Sequence, residues 1–204
     1  QRQMCIRDSI IPNSANENYT GYKDAAFQIC GDLSKATVTY VGDTLVYNGS
    51  KQVPKYQDLE VISGVKNFTL QGGTHYEIEE PAESTKAGEK TLTLKGIGNY
   101  TNVNTKLKYT IAPKPLSDKA DFNFVVDKIT YDGEEHIPDV KIELKDDDGN
   151  VVYTLKSGTD FTVEKDPNAA ADAYTKVGSN IPLVVKANGS NFTGETTIYF
   201  NILP

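Results

Sequence analysis

Few residues in this chain have the type and spacing that chemistry requires. The two histidines, His75 and His136, are the only ones in 204 residues. A nucleophilic triad needs a Ser or Cys, a His and an orienting acid within hydrogen-bond reach of one another. No local motif around either histidine supplies that set, and no catalytic residue is assigned. Both read as exposed strand-end residues. Of the two cysteines, Cys5 falls in a segment that looks foreign, and Cys30 has no His or Lys beside it to lower its pKa, so it reads as a small apolar residue. Neither a Gly-rich phosphate loop nor zinc-type Cys/His spacing occurs, and no cofactor is expected.

The densest acidic run is Asp146-Asp147-Asp148-Gly149-Asn150. An EF-hand frame would place Leu144 and Leu155 at ligand positions, which excludes that motif. A hairpin turn accounts for the run. Asp146, Asp147 and Asp148 are then weak calcium candidates, joined by Asp166 or Asp172 if the fold gathers them. Asn-x-Ser/Thr sequons stand at Asn18, Asn48, Asn67, Asn99, Asn188 and Asn191, and turn geometry explains most of them without sugar. An internal amide, in which a Lys amine displaces ammonia from an Asn side chain, would pair Asn201 with Lys119 or Lys128. No motif supports it. Tyr100 and Phe192, in matching turns, are the candidate ligand-contacting aromatics, together with the Asp172–Asn180 insertion.

The elements that carry these residues come in two copies. Tyr47-Asn48-Gly49 recurs as Tyr131-Asp132-Gly133, and Pro54 as Pro138. Gly73-Thr74-His75-Tyr76 recurs as Gly158-Thr159-Asp160-Phe161, and Asn99-Tyr100-Thr101 as Asn191-Phe192-Thr193. Leu33 and Leu116 lie 83 positions apart, long enough for a sandwich of about seven short strands that buries its own core. Period-2 alternation marks the strands. Val38/Tyr40 matches Phe122/Phe124, Leu45/Tyr47 matches Ile129/Tyr131, Leu92/Leu94 matches Leu183/Val185, and Leu107/Tyr109/Ile111 matches Ile198/Phe200/Ile202. All of these are expected to point inward. Asn-Gly and Asp-Gly are hairpin turn chemistry. The polar stretches Glu79–Glu89 and Lys165–Gly178 read as surface loops. Pro113-Lys114-Pro115 predicts a stiff, extended connector between units set end to end.

The fold class is therefore all-β, two tandem immunoglobulin-like antiparallel β-sandwiches. Residues 33–113 and 114–204 form the sandwiches. Residues 10–32 read as the remnant of an upstream repeat, because Asn18-Tyr19-Thr20-Gly21 and Phe27-Gln28-Ile29 repeat the end of a unit. Residues 1–9 read as an artefact: Met4-Cys5-Ile6-Arg7-Asp8-Ser9 resembles the translation of a sequencing adapter. The net charge of −7 opposes nucleic-acid binding, and no apolar run reaches the roughly 20 residues that span a bilayer.

The aromatic-Asn/Asp-Gly turn, Gly-Thr-x-aromatic, Gly96-Ile97-Gly98-Asn99-Tyr100-Thr101 and the closing aromatic-x-Ile together resemble bacterial immunoglobulin-like repeats of the MBG type, over Leu33–Ile202. The second unit departs at its Asp172–Asn180 insertion and at Asn188-Gly189-Ser190. The resemblance implies an extracellular or cell-surface location in a bacterium. It also implies a noncatalytic spacer or stalk role, with neighbouring repeats of the same parent chain as partners. The alternative it leaves is an adhesive module that contacts glycan or host protein through loops.

Overall fold

A computed structural model describes residues 6–10, 23–27, 31–64, 68–101 and 103–204. Cys5, Cys30, Asn18 and Asn67 lie outside the described residues, as do most of the expected artefact and remnant. Two strands precede the repeat, β1 (Ile6–Ile10) and β2 (Lys23–Phe27), paired antiparallel with Ile6 opposite Phe27.

Unit 1 contains β3 (Thr37–Tyr40), β4 (Leu45–Val46), β5 (Leu59–Ile62), β6 (Tyr76–Glu79), β7 (Gly88–Gly96) and β8 (Asn104–Ala112). The connector contributes β9 (Lys114–Pro115). Unit 2 contains β10 (Phe122–Val126), β11 (Ile129–Thr130), β12 (Val140–Lys145), β13 (Val151–Thr154), β14 (Phe161–Lys165), β15 (Gly178–Ala187), β16 (Phe192–Thr193) and β17 (Glu195–Leu203). Helical structure among the described residues is confined to four single 3-10 turns.

The strand plan is written twice. One sheet runs β4-β8-β7-β6 in unit 1 and β11-β17-β15-β14 in unit 2, and the facing sheets are β3-β5 and β10-β12-β13. Alternation produces this arrangement. Along β8 the buried positions are Leu107, Tyr109 and Ile111, and along β17 they are Thr196, Ile198, Phe200 and Ile202. A strand with one apolar face must cover it, and two sheets packed face to face do so. Val61, Leu92, Leu94 and Ile111 are fully buried in unit 1, as are Ile142, Leu183, Val185 and Ile202 in unit 2.

The pairing departs from the expected pure antiparallel plan at one edge of each unit. β4 runs parallel to β8, with Leu45 opposite Ile111, and β11 runs parallel to β17, with Ile129 opposite Ile202. In each unit the chain leaves its first strand, changes sheet and joins the last strand in the same direction.

Two further expectations are corrected. The loop after β14 is anchored: Tyr174 is buried, its hydroxyl donates to Pro182 O (2.6 Å) and accepts from Asp166 N–H (2.8 Å), and its ring stacks on Phe200. The polar stretch Lys165–Gly178 therefore hides a core residue. Tyr131 does not point inward; it is 50% exposed, whereas its counterpart Tyr47 is 4% exposed. The backbone is the same in both copies, since Tyr47 N–H donates to Ala112 O and Tyr131 N–H to Leu203 O, each at 2.8 Å. What differs is what lies beyond the turn.

Candidate functional site

The turn after β4 meets unit 2. Asn48 Oδ1 accepts from Ser50 N–H (3.0 Å), and Gly49 takes a left-handed φ of 78° that a side chain disfavours. A Cβ on Gly49 would lie 3.4 Å from Tyr153 Cβ, so this turn sits directly on the second unit. Tyr47 packs edge-on against Phe192 (centroids 5.3 Å apart) and Tyr153 (6.2 Å). Phe192 also contacts Phe122, which carries the contact into the core of unit 2. Edge-on aromatic pairs of this kind contribute roughly 0.5–1.5 kcal/mol beyond the area they bury.

Polar groups fix the register of this junction. Asn191 acts on both sides: its backbone O accepts from Lys114 N–H (2.9 Å) in the connector, and its Oδ1 accepts from Ala87 N–H (3.0 Å) in unit 1. Leu116 N–H donates to Thr193 O (2.9 Å), so β9 lies parallel to β16. The same connector geometry occurs one unit earlier, where Gly31 N–H donates to Asn99 O (2.7 Å). Below the aromatic cluster, buried Asp160 accepts from the Tyr153 hydroxyl (2.9 Å) and from Lys156 N–H (2.9 Å). Burial, then the hydrogen bond to Asp160, pushes the Tyr153 phenol up to about 12. Burial likewise raises Tyr47, with the Asp160 charge adding to it.

The structure redistributes the residues singled out from sequence. Tyr100 and Phe192 are 6% and 3% exposed, so neither ring is presented to a ligand. Tyr100 lies under Gly31 and edge-on to His75 (5.7 Å). His75 Nδ1 accepts from Gln71 N–H (2.8 Å), and His136 Nε2 is 2.7 Å from Asp132 Oδ1. Asp146 Oδ1 accepts from Asp148 N–H (3.1 Å) and Asn150 N–H (2.8 Å), which is turn chemistry. Asp166 is bonded to Asn168 N–H and Asp172 to Lys176. Among the described residues no group of three or more His, Cys, Asp or Glu side chains could hold a metal ion, so Asp146, Asp147 and Asp148 are not gathered with Asp166 or Asp172. Lys119 Nζ donates to Thr197 O (2.7 Å), and Asn201 Oδ1 accepts from Asn180 N–H (2.9 Å). Lys128 and Asn201 line one surface cavity. None of the described helices is long and apolar enough to cross a membrane.

Sequence reasoning missed the junction as a site. Its signal was present in the coincidence of the Tyr-Asn-Gly turn, the Asn-aromatic-Thr turn and the diproline connector, one copy apart.

The chain is 26% identical over 163 residues, 78% of its length, to the pilus tip adhesin Cpa of Streptococcus pyogenes. It spans about a quarter of that relative, since the aligned part is 23% of the longer protein. No protein-family profile matches the chain, and no solved structure does.

Proposed function

We propose that this chain is a noncatalytic spacer or stalk module of a bacterial cell-surface or secreted protein, built from immunoglobulin-like repeats of the MBG type. The observation that carries the reading is the junction itself. Two copies of one strand plan are joined by a two-proline connector, by Asn191 bonded to both neighbours, and by Tyr47 seated on Phe192 and Tyr153. A spacer must hold distance, and distance requires both stable units and a hinge that does not bend freely. The similarity to a pilus tip adhesin supports a surface location. Residual dipolar couplings on the full chain test the reading: both units are expected to share one alignment tensor, and two independent tensors would overturn it.

The relative's description as an adhesin favours a second reading, in which loops contact glycan or host protein. Buried Tyr100 and Phe192 count against it, which leaves the Asp172–Asn180 insertion as its surface. Saturable binding of the full chain on a glycan array, lost when 172–180 is replaced by the shorter loop of unit 1, would favour adhesion.

A further inference from the structure

The face of unit 1 that receives unit 2 is built from Tyr47, Gly49 and Ala87, with Ala112 bonded to the Tyr47 backbone beside it. The strand registers fix the matching positions in unit 2. Gly88 pairs with Ile111 and Gly178 with Ile202, so Ala87 matches Val177 and Ala112 matches Leu203. Tyr131 and Gly133 match Tyr47 and Gly49, with Gly133 again left-handed at φ 88°. In unit 1 this face is covered. In unit 2 the same positions stand exposed: Tyr131 is 50% exposed, Val177 51% and Leu203 44%, and among the described residues a Cβ on Gly133 would meet nothing within 4 Å. Three large apolar side chains at one end of a sandwich are an exposed patch of the kind that marks a contact surface.

The complementary end also recurs. Unit 2 meets unit 1 through Asn191, Phe192 and Tyr153, and unit 1 carries Asn99, Tyr100 and Phe68 at the corresponding places, with Phe68 44% exposed. Each unit thus has one socket end and one plug end. Such a heterologous contact does not close on itself, and it repeats along a line.

We propose that the Tyr131–Val177–Leu203 face docks the Asn-aromatic-Thr end of a further unit of this same repeat, tethered directly beyond Pro204. The tether matches, because Leu203-Pro204 repeats Ala112-Pro113. The incoming aromatic packs edge-on against Tyr131, and the incoming Asn side chain accepts from the backbone N–H at Val177, as Asn191 accepts from Ala87. The occupant named here deepens the spacer reading and rests on it.

The test extends the full chain by a second copy of residues 114–204 placed directly after Pro204, with C5S and C30S throughout and V177C in either the inner or the outer copy. Ala87 occupies the matching covered site, so the smaller thiol fits there. Modification of the inner V177C thiol by an uncharged maleimide is expected to be slower than that of the outer one by about tenfold or more, as for a site that reacts only on local opening. F192S in the added copy, or N191A where F192S prevents folding, is expected to restore the fast rate. Equal rates at the two positions would overturn the docking. Protection that grows with protein concentration in the unextended chain would also overturn it, assigning the face to a second molecule. Dipolar couplings of units 1 and 2 in the same extended chain report separately on the spacer reading: failed docking with a rigid first junction leaves that reading standing.

Discussion

Asn191 and Tyr47 show how the same residue type takes different roles in successive copies. Asn191 lies in a glycosylation-type sequon, yet its side-chain oxygen is committed to Ala87 N–H. N191A is expected to cost about 1 kcal/mol at the junction, the usual net worth of such a bond, while each unit keeps its own fold. Faster hydrogen exchange at the Ala87 amide, with the cores of both units unchanged, is the measurement. Tyr47 and Tyr131 make a sharper pair. Y47A removes a buried ring and is expected to destabilise unit 1 by about 3 kcal/mol, whereas Y131A, at an exposed position, is expected to change urea stability by less than about 0.5 kcal/mol. Equal costs would mean that unit 2 does not bury Tyr47. Tyr153 adds a pH signature. Its phenol is raised from the ordinary 10 to about 12 in the folded protein, first by burial and then by the bond to Asp160. The folded state therefore favours the neutral ring. Its contribution is fully present below pH 10 and declines between pH 10 and 12, where the unfolded chain ionises first. Urea midpoints measured across that window should fall, and Y153F should remove that part of the fall.

At the scale of elements, the Tyr174 hydroxyl pins the base of the insertion in unit 2, beside the bonds from His136 N–H to Tyr174 O and from Asn180 N–H to Asn201 Oδ1. Tyr174 bridges Asp166 N–H and Pro182 O across the base of the loop and rests on Phe200. Y174F keeps the stacking but leaves both backbone groups without their partner, so a loss of about 1–2 kcal/mol is expected, seen as accelerated exchange at Asp166 and unchanged exchange in β8. Tyr174, inside a stretch whose polarity reads as a surface loop, shows what alternation can and cannot reveal. Strands such as β8 and β17 bury every second side chain, and that period is visible in Leu107-Lys108-Tyr109-Thr110-Ile111 before any coordinates. Turns are visible for an equally local reason, because Asn-Gly and Asp-Gly have few other uses. Tyr174 sits alone among polar neighbours, and a single inward residue has no period. The parallel pairing of β4 and β11 depends on which strand lies alongside, and two-residue strands carry too little pattern to say. Tyr131 was legible as a strand residue but not as an exposed one, since its burial is decided by a neighbouring unit rather than by its own strand. Tyr100 and Phe192 are buried for a similar reason: Tyr100 lies under Gly31 and Phe192 against Tyr47, neighbours that the period of a single strand does not reveal.

For the whole molecule, the question is whether the two sandwiches act as one mechanical body or as two tethered ones. The connector alone restricts direction through its prolines, but it does not transmit stability. Transmission requires the contact of Tyr47 with Phe192 and Tyr153, and the two bonds of Asn191. A double-mutant cycle separates these contributions. Y47A and F192A touch across the junction, so their effects should be non-additive by about 0.5–1.5 kcal/mol. Y47A combined with I142V, whose site lies in the other unit's own core, should be additive within about 0.5 kcal/mol. Inserting Gly-Gly between Ala112 and Pro113 then tests the connector. The added length falls between unit 1 and β9, so β9 stays paired with β16 while the rings are free to part without altering either core. Each sandwich should still unfold at nearly its former denaturant midpoint, while the Tyr47–Phe192 coupling falls toward zero and the two units tumble with separate correlation times. Coupling that survives the insertion would mean that the surfaces hold each other without the connector, as two independent proteins would. Coupling absent from the parent chain would mean that the rings touch without adding strength, and the array would then bend at every joint.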